Sequence, residues 1–137
     1  MSCILRVGGA SLDVDALLAA IDLKPYRIWR KGEPRTSRPG SRLREASGMC
    51  FAVSEADFRE FDEQMREATE FLQRHLADMK IMETYPEVEW FDLDFGIELR
   101  DVTIPTDVLR PAFLKAAAGS GVTVCLSHYP HHPDEAE

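Results

Sequence analysis

Eight basic side chains of this 137-residue chain fall between positions 24 and 44: Lys24, Arg27, Arg30, Lys31, Arg35, Arg38, Arg42 and Arg44. One acid, Glu33, accompanies them. The stretch therefore carries +7, and a total of −8 leaves −15 for the rest of the chain. Guanidinium groups present a planar fork of donors that suits carboxylates and phosphates. Tyr26 and Trp29, interleaved with Arg27, Arg30, Lys31, Arg35, Arg38 and Arg42, are also the residue types that stack on bases in single-strand binders. The acidic remainder repels a polyanion, so the chemistry indicated is capture of an acidic protein and not of a nucleic acid. An edge strand guarded by charge, its arginines paired internally to an acidic strand, is the plainer source of the same composition.

That acidic strand is the second candidate. Asp92, Asp94 and Glu98 alternate along one face, where carboxylates can share a divalent cation or act as a general acid and base. A metal-dependent enzyme built on them is the alternative function. Such a site needs ligands from other elements, and none is placed predictably opposite, so a solvated face paired with Arg44 or Arg100 is expected. His128, His131 and His132 have a spacing that could bind zinc or nickel, but they sit at a chain end. Ser127 and His128 lack a nucleophile elbow or oxyanion loop. Gly8-Gly9-Ala10-Ser11 precedes a helix without the spacing of a P-loop or dinucleotide fingerprint. Cys3, Cys50 and Cys125 lie in strand-like patterns without C-x-x-C spacing and read as reduced, buried thiols. No catalytic residue and no cofactor is assigned.

These residues must be positioned by a small number of elements. The longest helical pattern runs from Ser54 to about Met82, with Ser54 and Asp57 as an acidic capping box. Phe58, Phe61, Met65, Ala68, Leu72, Leu76 and Met79 form its apolar stripe. Residues 2 to 8 alternate as a strand closed by a flexible Gly8-Gly9 turn, Ser11 caps a short helix ended before Pro25, and Tyr26 to Lys31 is an edge strand. Gly32 to Ser41 reads as an exposed, mobile loop. Arg44 to Val53 forms a central strand. Phe91, Leu93, Phe95, Ile97 and Leu99 alternate with Trp90, Asp92, Asp94, Gly96 and Glu98 in the clearest strand, one face core and the other wet. From Thr106 a third helix points Val108, Leu109, Ala112, Phe113 and Ala116 inward, with Pro111 either its first position or preceded by a looser turn. Val122 to Leu126 closes the fold.

The order β-α-β-β-α-β-α-β predicts an α+β fold: a mixed or antiparallel sheet of about five strands, with a ferredoxin-like split βαβ core and a long helix packed on one face. A single domain over residues 1–130 and a flexible tail over 131–137 are expected. With no apolar run near the ~20 residues of a membrane span and no signal-peptide pattern, the expectation is a cytoplasmic protein with no membrane partner.

Leu23-Lys24-Pro25 leading into Trp29-Arg30-Lys31-Gly32-Glu33, a polar loop, a strand entering a long helix, and Gly121, Ser127 and Tyr129 near the end together resemble the bacterial domains catalogued as domain of unknown function 4279. The resemblance covers the layout of most of the chain. It implies a compact α+β module, some of whose relatives look like immunity or accessory proteins, and it supplies no catalytic residues. The function expected is a non-catalytic protein-binding module, of immunity type, that engages an acidic partner through residues 24–44. Pairing into a homo-oligomer, edge to edge or basic surface to acidic, stays open.

Overall fold

The computed structural model describes residues 1–130. Nine elements follow one another: β1 (Cys3–Gly9), α1 (Val14–Ala20), β2 (Arg27–Trp29), β3 (Ser47–Ser54), α2 (Phe61–Arg74), α3 (Leu76–Thr84), β4 (Trp90–Glu98), α4 (Pro111–Ser120) and β5 (Thr123–Tyr129). The strands form one sheet in the order β2-β3-β1-β4-β5. The fold is α+β, with a mixed sheet of five strands: β4 and β5 run parallel, and the other three pairings are antiparallel. Insertion of β3 between β1 and β2 splits the β1-α1-β2 unit. No helix among the described residues is long and apolar enough to cross a membrane.

Alternation decides which face is covered. Cys3, Leu5 and Val7 of β1, Met49 and Phe51 of β3, and Phe91, Leu93, Phe95 and Ile97 of β4 point into one cluster with Leu17, Met65, Leu72, Met79 and Phe113 from the helices. Phe95 sits at the centre, with Phe61 and Phe113 edge-on at 5.3 Å. Burial of these side chains is the main driving force of folding.

The other face carries Trp29, Gly48, Cys50, Arg6, Gly8, Trp90, Asp92, Asp94 and Ser127, as the register places them. Among the described residues no helix belongs to it. Three aromatic rings lie down on its glycines instead. A Cβ on Gly8 would collide with the Trp90 indole; one on Gly48 would stand 2.5 Å from the Trp29 indole, and one on Gly96 2.6 Å from the Phe58 ring. Phe58 also meets Tyr129 edge-on, 5.6 Å between centroids. Gly8 and Gly9 are thus not the flexible turn the sequence suggested. They belong to β1, and the Glu87 carbonyl occupies the space a Gly9 side chain would need.

The single long helix is corrected as well. Ser54 ends β3: its carbonyl accepts from the Ser2 N–H at 2.9 Å and its hydroxyl from the Ala56 N–H at 3.1 Å. The expected capping box is therefore absent. Asp57 caps a turn by accepting from the Arg59 N–H at 2.8 Å, and Phe58 leaves the helical stripe for the opposite sheet face. At His75 (φ −109, ψ 27) the helix breaks into α2 and α3. The break leaves Leu76 40% exposed and buries Asp78, whose carboxylate accepts from the Asp22 and Leu23 N–H groups and pins the chain leaving α1. Asp13, not Ser11, caps α1, accepting from Ala16 N–H at 3.1 Å. Pro111 is the first position of α4, so Val108 and Leu109 lie outside the helix; Val108 and Ala112 are exposed, while Phe113 and Ala117 are buried.

The close packing on β1 predicts that Gly9→Ala costs about 1–3 kcal/mol by overpacking. Gly119→Ala, in a helix with open space around it, is expected to be neutral or to gain up to about 1 kcal/mol. Urea midpoints of the two variants check both; equal midpoints would contradict the packing of Glu87 on β1.

Candidate functional site

The basic stretch does not form a loose loop. Beyond β2 and before β3 it folds back on itself: Gly32 N–H reaches Arg44 O at 2.9 Å, Arg44 N–H reaches Glu33 O at 2.7 Å, and Arg35 N–H reaches Arg42 O at 2.9 Å. Pro34 and Leu43 form a further bridge. At the tip Thr36 N–H donates to Ser41 Oγ at 3.0 Å and Arg38 N–H to Thr36 Oγ1 at 3.2 Å. The mobile loop expected from composition is thus a hydrogen-bonded, hairpin-like arm, exposed along nearly its whole length. Pro and Gly set its turns, and the backbone satisfies itself across it.

The root of the arm is fastened by side chains. Arg30 forms a two-pronged pair with Asp15 of α1, at 3.0 and 2.7 Å, and its N–H donates to Glu33 Oε1 at 2.7 Å. The Arg30 guanidinium holds the Asp15 carboxyl below the usual carboxylate range. This tether contributes above the ordinary carboxylate pKa and is lost as pH falls through the lowered value. Lys31 N–H donates to Ser47 Oγ at 2.9 Å. Arg27 and Arg44 stand over the Trp29 ring, 5.9 and 5.3 Å from its centroid, while that indole rests on Gly48. Tyr26 donates its N–H to Cys50 O at 3.0 Å, and its phenol is pushed up in pKa chiefly by burial.

Farther out the pairing stops. Among the described residues Arg35, Arg38 and Arg42 have no side-chain ion pair, hydrogen bond or ring contact. The predicted basic residues therefore separate into a structural set, Arg27, Arg30 and Arg44, and a free set at the tip. Tyr26 and Trp29 lie at the base, apart from that tip.

The acidic strand has different partners from those expected. Arg6, opposite Asp92 in the register, donates to Asp94 Oδ2 at 3.1 Å, and Ser127 Oγ donates to Asp94 Oδ1 at 2.7 Å. Asp94 is only 8% exposed, so the wet face predicted for β4 is corrected at its centre. Glu98 lies 3.6 Å from Arg59. Arg44 caps Trp29 instead, and Arg100 turns to Asp107 at 2.8 Å. Among the described residues no group of three or more His, Cys, Asp or Glu side chains could hold a metal ion. Asp107 also meets His128 Nε2 at 2.9 Å, tying the 99–110 connection to β5. His131 and His132, like the tail expected over 131–137, lie outside the described residues.

Three further features complete the site's surroundings. The cysteines are free, and burial raises the pKa of all three thiols, with the Asp94 charge adding to the effect at Cys3 and those of Asp92 and Asp94 at Cys125. A cleft of about 360 Å³ opens between Phe58, Phe61, Ile97, Leu99 and Arg100 at the far end of β4. The residues that sequence reasoning missed are Arg6 and Asp15. Each is a lone charge near an apolar pattern, and only the register or the helix placement reveals its partner.

No family model matches the chain, nor does any curated protein or solved structure compared with it.

The Arg6–Asp94–Ser127 set is expected to be coupled. Arg6→Leu leaves a buried carboxylate short of a donor, so it should destabilise more than Arg6→Leu combined with Asp94→Asn does, a coupling of about 1 kcal/mol. A double-mutant cycle in urea measures it, and additive effects would contradict the network.

Proposed function

We propose that this protein is a non-catalytic, cytosolic protein-binding module of immunity type, whose basic arm grips an acidic partner, a toxin domain that it neutralises. The single observation that carries the reading is that Arg35, Arg38 and Arg42 have no partner among the described residues, on an arm whose backbone is already bonded. Guanidinium groups held in this way meet carboxylates in two-pronged geometry, and little chain entropy remains to be lost on association. The −15 carried by the rest of the chain repels a nucleic-acid backbone and orients an acidic protein toward the arm. The resemblance to the domain of unknown function 4279 supports the immunity-type reading through its layout.

The test is a salt-graded pulldown from native lysate with wild type, Arg35→Glu/Arg38→Glu/Arg42→Glu, and Arg30→Glu as a control on the arm's root. An acidic protein retained by wild type should be bound at least about tenfold more weakly by the triple variant and should elute as salt shortens the screening length. Equal retention by wild type and the triple variant would overturn the reading.

A further inference from the structure

The two edges of the sheet are built in opposite ways. β2 is three residues long, bears Arg27 and runs directly into the basic arm, which are the features that keep natural edges from pairing. β5 has none of them. Its seven residues, Thr-Val-Cys-Leu-Ser-His-Tyr, contain no Lys, Arg, Asp, Glu, Pro or Gly, and their register against β4 runs unbroken from Asp92↔Thr123 to Glu98↔Tyr129.

The backbone says which groups are unused. Tyr129 O accepts from Leu99 N–H at 2.8 Å, so the N–H and C=O of Tyr129 face β4. By the two-residue period of a strand those of Thr123, Cys125 and Ser127 face β4 too, and those of Val124, Leu126 and His128 face outward. Among the described residues these outward groups have no hydrogen-bond partner. Three donors and three acceptors are thus set at ladder spacing along an uncharged strand. Beside them the apolar layer is incomplete: Val124 and Leu126 pack on the core yet are only half-buried.

We infer that β5 pairs with β5 of a second copy, antiparallel across a two-fold axis, to make a continuous ten-stranded sheet. An added strand engages every outward N–H and C=O group of such an edge at once. Within the chain the matching long, uncharged edge is β5 itself, and a two-fold axis sets its donors against the same strand's acceptors. An acidic partner gains little there, because the strand bears no Lys or Arg. The interface lies at the opposite edge from the basic arm and does not depend on the function proposed for that arm. In the dimer the two β2 edges stand nine strand spacings apart, roughly 43 Å, so one arm projects from each end of the sheet.

Analytical ultracentrifugation over a wide concentration range, with amide hydrogen exchange on the same samples, tests the pairing. The expected result is a species of twice the 15.5 kDa chain mass. In it the amides of Val124, Leu126 and His128 should exchange about tenfold or more slowly than they do after dilution to monomer. Val124→Pro removes one outward N–H without touching the bonds to β4 and should give a monomer with the wild-type circular dichroism and fast exchange at the amides of Leu126 and His128. A wild type that is monomeric at every concentration, or a dimer in which the three amides exchange as fast as in the monomer, would overturn the proposal. So would a Val124→Pro variant that dimerises like the wild type.

Discussion

Helices cover one face of this sheet, and the chain must finish the other with side chains alone. It does so by laying Trp90 on Gly8, Trp29 on Gly48 and Phe58 on Gly96. Each glycine sits on a strand next to that of its ring or faces the segment that bears it, and any Cβ there would lift the ring off the sheet. The contacts therefore act as staples between neighbouring elements and as a lid over backbone that water would otherwise reach. Trp29 does more than cover Gly48. By fixing the short β2 against β3 it gives Arg27 and Arg44 a ring to stand over, and through them it sets where the arm leaves the sheet.

Ion pairs play a smaller part in holding this molecule together than their number suggests. Arg66 with Glu63 and Glu70, Arg59 with Asp57, and Arg30 with Asp15 are all exposed pairs, which water and salt screen and which hold little of the fold. The arm's shape therefore comes from its backbone bonds and from Trp29, with Arg30 serving as a tether. Asp94 is a different case. With Arg6 above one oxygen and Ser127 on the other, a nearly buried carboxylate is satisfied by two strands that flank its own. Such a group costs little while both donors are in place and a good deal when one is missing, so it fixes β1 and β5 about β4.

What could be read from the chain depended on whether a signal was local. The strict alternation from Trp90 to Glu98 named β4 and its core face, and Pro111 marked a helix start, because both patterns reside in adjacent residues. The long helix was misplaced at both ends of its argument. Ser54, Asp57 and Phe58 fit a helix cap and stripe on spacing alone, yet Ser54 is held in β3 by Ser2, and Phe58 is drawn to a glycine thirty-eight positions away. At His75 the period resets because Asp78 must reach the end of α1. The same limit applied to the site. The basic cluster was plain in the sequence, but the division between Arg30, held by Asp15, and Arg35, Arg38 and Arg42, held by no described residue, depends on where α1 and the arm come to lie.

That division bears on what the arm can recognise. A guanidinium already paired in two-pronged fashion must lose that pair before it can meet a ligand, and the exchange yields little net free energy. Free arginines on a flexible loop would be available but would lose the loop's conformational entropy on binding. The tip of this arm avoids both costs, since its backbone is ordered by its own bonds and its three guanidiniums are unengaged. Its reach is nonetheless limited by the molecule behind it. A long polyanion lying on the tip would also lie against a body of charge −15, whereas a folded acidic surface can meet the arm at one point and stay clear of the rest. On the proposed function, a compact acidic partner suits the arm better than an extended one, and selectivity rests on the acidic body as much as on the basic arm.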